Sequence, residues 1–186
     1  MRAEVRSLRS QYVFPTVRRA ISAANRRAPH AFRIVHFSVQ AEHLHLLVEA
    51  LDKRALSLGL RGLAVRIARS VNRLVFRRGR FWADRWHGRA LTTPRAVRNA
   101  IAYVLANFRK HQPGDRAPLD PYSSAPHFEH FAELRGAPID CAPQLVSRAL
   151  APPDHSPTAH PKTWLLRTGW LRHGRVSLFE KPRIAR

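Results

Sequence analysis

The order of hydrophobic patterns along this chain predicts an α+β fold built on an antiparallel hairpin. Two short segments, 32–39 and 43–50, have the length and apolar character of strands, and only residues 40–42 separate them. That spacing is typical of a β-hairpin. Helix-period patterns flank the hairpin over 11–28 and 53–77. The sequence therefore predicts a hairpin packed against amphipathic helices.

The two helices that flank the hairpin are predicted from apolar spacing and from their stop signals. The first ends before Pro29, which blocks continuation of a helix. The second is predicted to stop at Arg78-Gly79-Arg80, because Gly79 suits the left-handed terminator of a helix. Its apolar stripe comprises Leu56, Leu60, Leu63, Ile67, Val71, Leu74 and Val75.

A third strand and a further helix are predicted after residue 80. Residues 81–91 alternate in part between aromatic and charged side chains, which predicts a strand. Thr93 and Pro94 then supply an N-cap and a first helical residue for a helix that runs to about Lys110.

The composition changes after this helix. Residues 112–162 hold most of the prolines and predict an extended arm, and 163–171 predict a short amphipathic element that docks back onto the domain. We therefore expect a folded domain over 1–111 and a Pro-rich C-terminal extension over 112–186.

The charge of the chain points to a polyanionic partner. The 186 residues include 33 Lys and Arg against 12 Asp and Glu, so the net charge is +21. A surplus of this size destabilises a compact domain unless a polyanion offsets it. Arginine, which dominates the basic residues, also binds phosphate oxygens better than lysine does, because its planar guanidinium can donate two hydrogen bonds at once. Nucleic acid is the expected partner, bound with a strong dependence on salt.

The sequence gives little support to a membrane or secreted protein, or to disulfide or zinc chemistry. The chain has no apolar run of about 18 residues, which a membrane span needs, and no apolar signal core after Met1. The single Cys141 cannot form an internal disulfide or a thiolate zinc site. We expect a cytoplasmic, nucleoid-associated protein that acts as a monomer or homodimer.

His43 and His45 form the first candidate site. Residues i and i+2 of a strand point to the same side, so both imidazoles project from one face. Leu44, Leu46 and Val48 then project from the other face and can pack on a core. Two adjacent imidazoles can bind one divalent metal. The alternative is a strand with two partly exposed histidines that bind no ligand. For a His-x-His pair considered alone, this alternative is more common than a metal site.

Tyr103 and Asn107 form the second candidate site, one turn apart on the helix that starts at Pro94. The core-facing stripe of that helix is complete without them, so packing does not require either residue. Alanines flank the phenol and leave room for a substrate. Asn107, four residues after Tyr103, can contact the same substrate group. The complete stripe comprises Val97, Ile101, Val104, Leu105 and Phe108.

Together these motifs resemble the single-tyrosine HUH transposases, and in particular the REP-associated tyrosine transposases. The resemblance covers roughly residues 11–111. The motifs that carry it are His43-Leu44-His45, the segment 81–87 and the segment 102–107, which reads Ala-Tyr-Val-Leu-Ala-Asn. The segment 163–170 is similar to a C-terminal extension of some bacterial members.

The resemblance implies a ferredoxin-like antiparallel sheet of the βαββαβ type, with the tyrosine helix over the face that carries the histidines. It implies a single-stranded DNA substrate with hairpins. His43, His45 and Asn107 match the metal ligands of the family, and Tyr103 matches its nucleophile, which forms a 5′-phosphotyrosine and frees a 3′-OH. The metal would be Mg²⁺ or Mn²⁺; the ligand types favour Mn²⁺, whereas abundance favours Mg²⁺.

Three departures from the family pattern affect these expectations. Ala41-Glu42 stands where relatives have Pro-Asn or Pro-Asp, and Glu42 either helps to position the metal or is simply tolerated. Trp86 stands where relatives often have tyrosine. We expect Trp82 and Trp86 to be core residues, with stacking on bases as the alternative. Finally, only residues 1–10 precede the first helix, so the opening strand of the family fold either begins upstream or is absent.

Two other functions compete with strand transfer. A basic nucleic-acid-binding protein without catalysis, including an inactive or domesticated transposase, would share the charge but leave the Tyr103–Asn107 pair unexplained. A nuclease that uses water would need a cluster of carboxylates, and the 12 acidic residues are scattered along the chain.

Overall fold

The computed structural model describes residues 7–111, 119–134 and 157–180 of the chain. These residues form an α+β structure, as predicted. The elements in chain order are α1 (Phe14–Arg27), β1 (Phe32–Val39), β2 (Leu44–Ala50), α2 (Lys53–Leu74), α3 (Pro94–Ala106), α4 (Phe108–His111) and α5 (Trp164–Arg167). Short 3-10 turns lie at Ala125–His127, Ala132–Leu134 and Gly169–His173.

The predicted hairpin is confirmed, with one irregularity in its first strand. β1 and β2 are antiparallel, and Val39 pairs with Leu44 next to the turn. The register shifts between Ile34 and His36, so Val35 is an extra residue in β1. The side-chain amide of Asn25 in α1 holds the backbone next to this bulge. Its oxygen accepts from the N–H of Ile34 at 2.7 Å, and its NH2 group donates to the carbonyl of Ile34 at 3.1 Å.

The first face of the hairpin packs against α1 and α2. Leu44, Leu46 and Val48 contact this core, as their alternation in β2 predicted. The buried members from the helices follow the predicted apolar stripes. The core includes Val13, Phe14, Val17, Ile21, Ile34, Phe37, Val39, Leu63, Ile67 and Val71.

The second face of the hairpin packs against α3, and α3 in turn packs against the C-terminal segment. Val35 and Leu47 from the sheet, Ile101 from α3 and Trp170 from the C-terminal segment share one buried cluster. Trp170 is 1% exposed and donates its indole N–H to the carbonyl of Leu166 at 3.1 Å. The prediction that 163–171 docks back is therefore confirmed, whereas most of the predicted arm, 112–118 and 135–156, lies outside the described residues.

The predicted strand over residues 81–91 is wrong, because this segment has no strand structure. A strand requires a partner whose backbone completes the ladder. Here side chains occupy the backbone groups instead: Arg80 donates to the carbonyls of Trp82 and Ala83. Trp82 donates its indole N–H to the carbonyl of Ala64 at 3.0 Å, which ties the segment to α2. In the described residues the sheet has two strands, and the wider ferredoxin-like sheet is not seen there.

The end of α1 and the start of α3 agree with their predicted signals, whereas α3 ends at Ala106 instead of about Lys110 and α2 also ends early. Thr93 caps α3 as predicted, because its hydroxyl accepts from the nitrogen of Ala96 at 3.2 Å. α2 ends at Leu74, before the predicted Arg78-Gly79-Arg80 stop. The left-handed residue that terminates it is Phe76, with φ 53°, whereas Gly79 (φ 95°) belongs to the following turn.

Candidate functional site

His43 and His45 converge at the start of β2. Their Nε2 atoms lie 3.1 Å apart, and their rings meet edge to face with centroids 4.8 Å apart. Both rings project from the face that also carries Leu47, as the strand alternation predicted. His43 is exposed and His45 is half-buried, so the pair lies at the surface of the molecule.

The separation of the two nitrogens allows two interpretations. Two imidazole nitrogens on one ion, each at about 2.1 Å and at a right angle, would stand about 3.0 Å apart. A direct N–H···N hydrogen bond between the rings needs a similar distance. The pair can therefore hold a divalent metal or form a histidine–histidine hydrogen bond, and both fit the observed 3.1 Å.

The turn that presents His43 is held by a buried polar network. The backbone N–H of Gln40 donates to the carbonyl of His43 at 2.8 Å, and the Gln40 amide donates to the hydroxyl of Ser38 at 2.7 Å. The Ser38 hydroxyl in turn lies 3.5 Å from Asp120. Asp120 receives two hydrogen bonds of 2.9 Å from the guanidinium of Arg9, which also donates to the carbonyl of Val39.

The pair formed by Arg9 and Asp120 was missed by sequence analysis. The two residues are 111 positions apart, and no local pattern marks either of them. Asp120 is fully buried and the Arg9 side chain is 9% exposed, so the ion pair is shielded from solvent. Because it fixes the end of β1 and the turn that follows, the pair positions His43.

Tyr103 lies against the histidines. Its ring meets the ring of His45 edge to face, with centroids 5.1 Å apart. The half-buried phenol is on the side of α3 that approaches the histidine face, while the predicted stripe of α3 is buried in the core. The other two tyrosines lie elsewhere: Tyr122 packs against the first core, and Tyr12 donates to the carbonyl of Leu74 at the end of α2.

Asn107 has a different environment from the one that the helical pattern indicated. It was expected away from the core-facing stripe, beside Tyr103, yet its side chain is fully buried. α3 lies between the sheet and the C-terminal segment, so it is covered on more than one side. Among the residues that the structure describes, no group forms a hydrogen bond with either buried amide atom of Asn107. Buried amides are rarely left in this state, and each such group requires an explanation.

The structure thus brings His43, His45 and Tyr103 together as three contacting rings. It places Asn107 one helical turn beyond Tyr103, without a hydrogen bond to any of them. Across the described ranges, no group of three or more His, Cys, Asp and Glu side chains could hold a metal ion. Glu42 is exposed and does not complete such a group with the histidines. A third protein ligand among the described residues would therefore be of another type, and the family resemblance assigns that role to Asn107.

A third histidine on the same side of the sheet, His36, is held in its neutral form. Burial, with a smaller contribution from the neighbouring His130, lowers the pKa of His36 to about 4. The ring of His36 packs edge to face against Phe128, and its Nδ1 lies 3.4 Å from the hydroxyl of Ser124. His36 therefore belongs to the second core and is distinct from the candidate site.

No family model matches this chain, and no curated protein or solved structure is significantly similar to it. None of the helices in the described part of the chain combines the length and the apolarity that a membrane span needs.

Proposed function

We propose that this protein is a tyrosine HUH transposase that cleaves and rejoins single-stranded DNA through a 5′-phosphotyrosine. The observation that supports this most directly is the contact of the Tyr103 ring with a pair of convergent histidines. Tyr103 comes from α3, whereas His45 lies in β2 and His43 immediately precedes it, more than fifty residues earlier in the chain. The unpartnered amide of Asn107 and the net charge of +21 agree with a site that meets a phosphodiester.

The proposed reaction is a direct transfer between two oxygen atoms. The phenolic oxygen of Tyr103 attacks the scissile phosphorus, and the bond from phosphorus to the 3′ oxygen breaks. The phenolic proton is balanced by the proton that the departing oxygen gains as a 3′-OH. The reverse attack by another 3′-OH rejoins DNA and restores the phenol, so neither water nor ATP is consumed.

His43, His45 and Asn107 are the residues that would hold Mg²⁺ or Mn²⁺. Such an ion neutralises charge on the phosphate, which phosphoryl transfer needs more than it needs a base. The donor set fits in kind, because two imidazole nitrogens converge and a buried amide oxygen is unpartnered. His45 also orients the phenol through its ring contact.

Trapping of the covalent intermediate is the decisive test. The protein should be mixed with a 5′-extended hairpin oligonucleotide and Mn²⁺, then resolved under denaturing conditions. We expect a band shifted by attached DNA that disappears in Tyr103→Phe. Tyr12→Phe and Tyr122→Phe are the matched controls and should retain the band, because both tyrosines lie away from the histidines. An adduct that survives Tyr103→Phe refutes the assignment.

Variants of the histidine pair separate cleavage from binding. His43→Ala and His45→Ala should abolish metal-dependent cleavage while leaving salt-sensitive DNA affinity largely intact, because arginine–phosphate contacts supply the affinity. Full cleavage by the double variant would exclude the metal site. A flat response of affinity to salt would argue against nucleic acid as the partner.

An inactive, basic nucleic-acid-binding protein is the second candidate. It is favoured by the small donor set, since the described residues hold no group of three His, Cys, Asp and Glu ligands. In that case the 3.1 Å contact is a hydrogen bond between two histidines. This alternative predicts DNA binding with no covalent adduct under any metal condition.

The finer features of the fold are part of the same proposal. We propose that the hairpin belongs to a ferredoxin-like sheet of the βαββαβ type, with the 1–111 domain carrying the chemistry. We also propose that the protein associates with the nucleoid through its DNA substrate. Either a monomer or a homodimer is compatible with this function.

A further inference from the structure

The segment that joins α2 to α3 contains an unusual concentration of exposed cationic and aromatic side chains. We call residues 76–89 the arginine loop. It holds five arginines and a single acidic residue, Asp84, and all five arginines are exposed. Within the described residues, none of the five forms an ion pair with a carboxylate, although Arg77 and Arg80 also donate to backbone carbonyls of the loop. They are Arg77, Arg78, Arg80, Arg85 and Arg89.

Phe76 occupies a backbone position that disfavours it. It follows α2 with φ 53°, in the left-handed region that glycine adopts most easily. Hydrogen bonds fix this conformation, because Arg77 donates to the carbonyl of Asn72 at 2.8 Å and Phe76 donates to that of Arg73 at 3.4 Å. The ring itself is 92% exposed, so packing within the protein does not compensate for the strained backbone.

Trp86 is the second exposed aromatic ring of the loop. It is 48% exposed, and a Cβ atom built on Gly88 would lie 3.4 Å from its ring, so the ring rests close to the Gly88 backbone. Trp82 differs, because it packs on the first core and is tied to α2 by its indole hydrogen bond. The expectation that both tryptophans are core residues is thus confirmed for Trp82 and wrong for Trp86.

The loop connects the two faces of the hairpin. α2 packs on the first face and α3 on the second, so the arginine loop crosses from one side of the sheet to the other. It leads directly into the helix that carries Tyr103. A strand held by this loop would therefore be bound by the segment that precedes the candidate site in the chain.

We propose that the arginine loop grips single-stranded nucleic acid, with bases stacked on Phe76 and Trp86 and phosphates paired with the arginines. Exposed aromatic rings among arginines match the chemistry of an unpaired strand, whose bases offer open faces beside a chain of phosphates. A duplex hides those faces in its own stack, so the rings would contribute nothing to duplex binding. The inference rests on the proposed function, because it takes nucleic acid as the substrate.

The substitution Phe76→Gly provides a sharp test, because its effects on stability and binding have opposite directions. Glycine adopts φ 53° without strain, so the melting temperature should stay the same or rise. Loss of the ring should weaken binding of a single-stranded oligonucleotide by about five-fold or more, and Trp86→Ala should do the same. Phe179→Ala is the matched control, since Phe179 is 69% exposed but lies in the C-terminal segment.

The probe that isolates stacking is an abasic oligonucleotide of equal length, which keeps the phosphates and lacks the bases. Fluorescence anisotropy should show that Phe76→Gly and Trp86→Ala leave its affinity unchanged, together with the affinity for a blunt duplex. Equal losses on all three probes, or no loss on the single strand, would overturn the proposal.

The outcome is separable from that of the transposase proposal. The anisotropy measurements need no metal and no cleavage, and they can be made on the Tyr103→Phe protein. If the loop variants lose single-strand affinity while wild type forms no adduct, the loop proposal stands and the enzyme proposal fails. If wild type forms the adduct and the loop variants bind normally, the loop proposal fails alone.

Discussion

Substitution of Asn107 by leucine should stabilise the protein and abolish the proposed activity. The Asn107 side chain is fully buried, and neither its amide oxygen nor its amide nitrogen has a hydrogen-bond partner in the described part of the chain. Leucine has the same branched outline, so the exchange removes two polar atoms without opening a cavity. A residue kept at a cost to stability is typical of a functional site.

The size of the effect follows from the cost of an unpartnered buried group. That cost is about 1–3 kcal/mol, so Asn107→Leu should raise the free energy of unfolding by this amount. For a chain of this length each kcal/mol shifts the melting temperature by about 2–4 °C, so the expected rise is about 2–12 °C. Asn107 is the C-cap of α3 and has helical dihedral angles (φ −61°, ψ −28°), so the better helix propensity of leucine adds at most about half a kcal/mol.

Asn99→Leu is the matched control for that second contribution. Asn99 lies inside α3, of which Asn107 is the C-cap, and it is only half-buried, so its replacement changes helix propensity without removing a buried amide. Urea unfolding, followed by tryptophan fluorescence, gives the difference between the two variants. A net destabilisation by Asn107→Leu of more than about 1 kcal/mol, with Asn99→Leu neutral, would show that the amide is satisfied in the native protein. Retention of the covalent adduct would remove Asn107 from the site.

Three further predictions concern the supporting structure. Asp120→Ala should lower the free energy of unfolding, measured in urea, by about 3–5 kcal/mol, because it leaves the buried charge of Arg9 without its carboxylate. The double variant with Arg9→Ala should regain part of that stability if the two residues are paired. Trp170→Ala should cost about 3–5 kcal/mol by the same measurement, and an unchanged stability would show that the C-terminal segment is not part of the core. The pKa of His36 is about 4 in the folded protein, below its ordinary 6.5, so protonation favours the unfolded state. Stability should therefore be complete above pH 6.5 and fall towards pH 4 by up to ~1.4 kcal/mol per pH unit, and His36→Gln should flatten that slope relative to wild type.

The sequence alone determined the features that depend on neighbouring residues. The hairpin and the helices α1, α2 and α3 followed from apolar periodicity, and the N-cap at Thr93 followed from its local chemistry. The shared face of His43 and His45 followed from strand alternation. In each case the physical cause acts over a few residues, so it is visible in a short window of sequence. The roles assigned to these histidines stay predictions.

Only the tertiary structure decided the features that depend on distant partners. The segment 81–91 has a strand-like pattern but no strand to pair with, and side chains take its backbone groups instead. The contact of Tyr103 with His45 required α3 to lie on the histidine face.

The burial of Asn107 and the support of His43 have the same origin. Asn107 is fully buried although it lies off the apolar stripe of α3, a helix that packs against both the sheet and the C-terminal segment. The turn before His43 is fixed by Arg9 and Asp120, which are 111 residues apart. Local sequence sets which elements form and which way their side chains alternate. The packing of one element on another sets which side chains meet, because those contacts join residues that no local pattern relates.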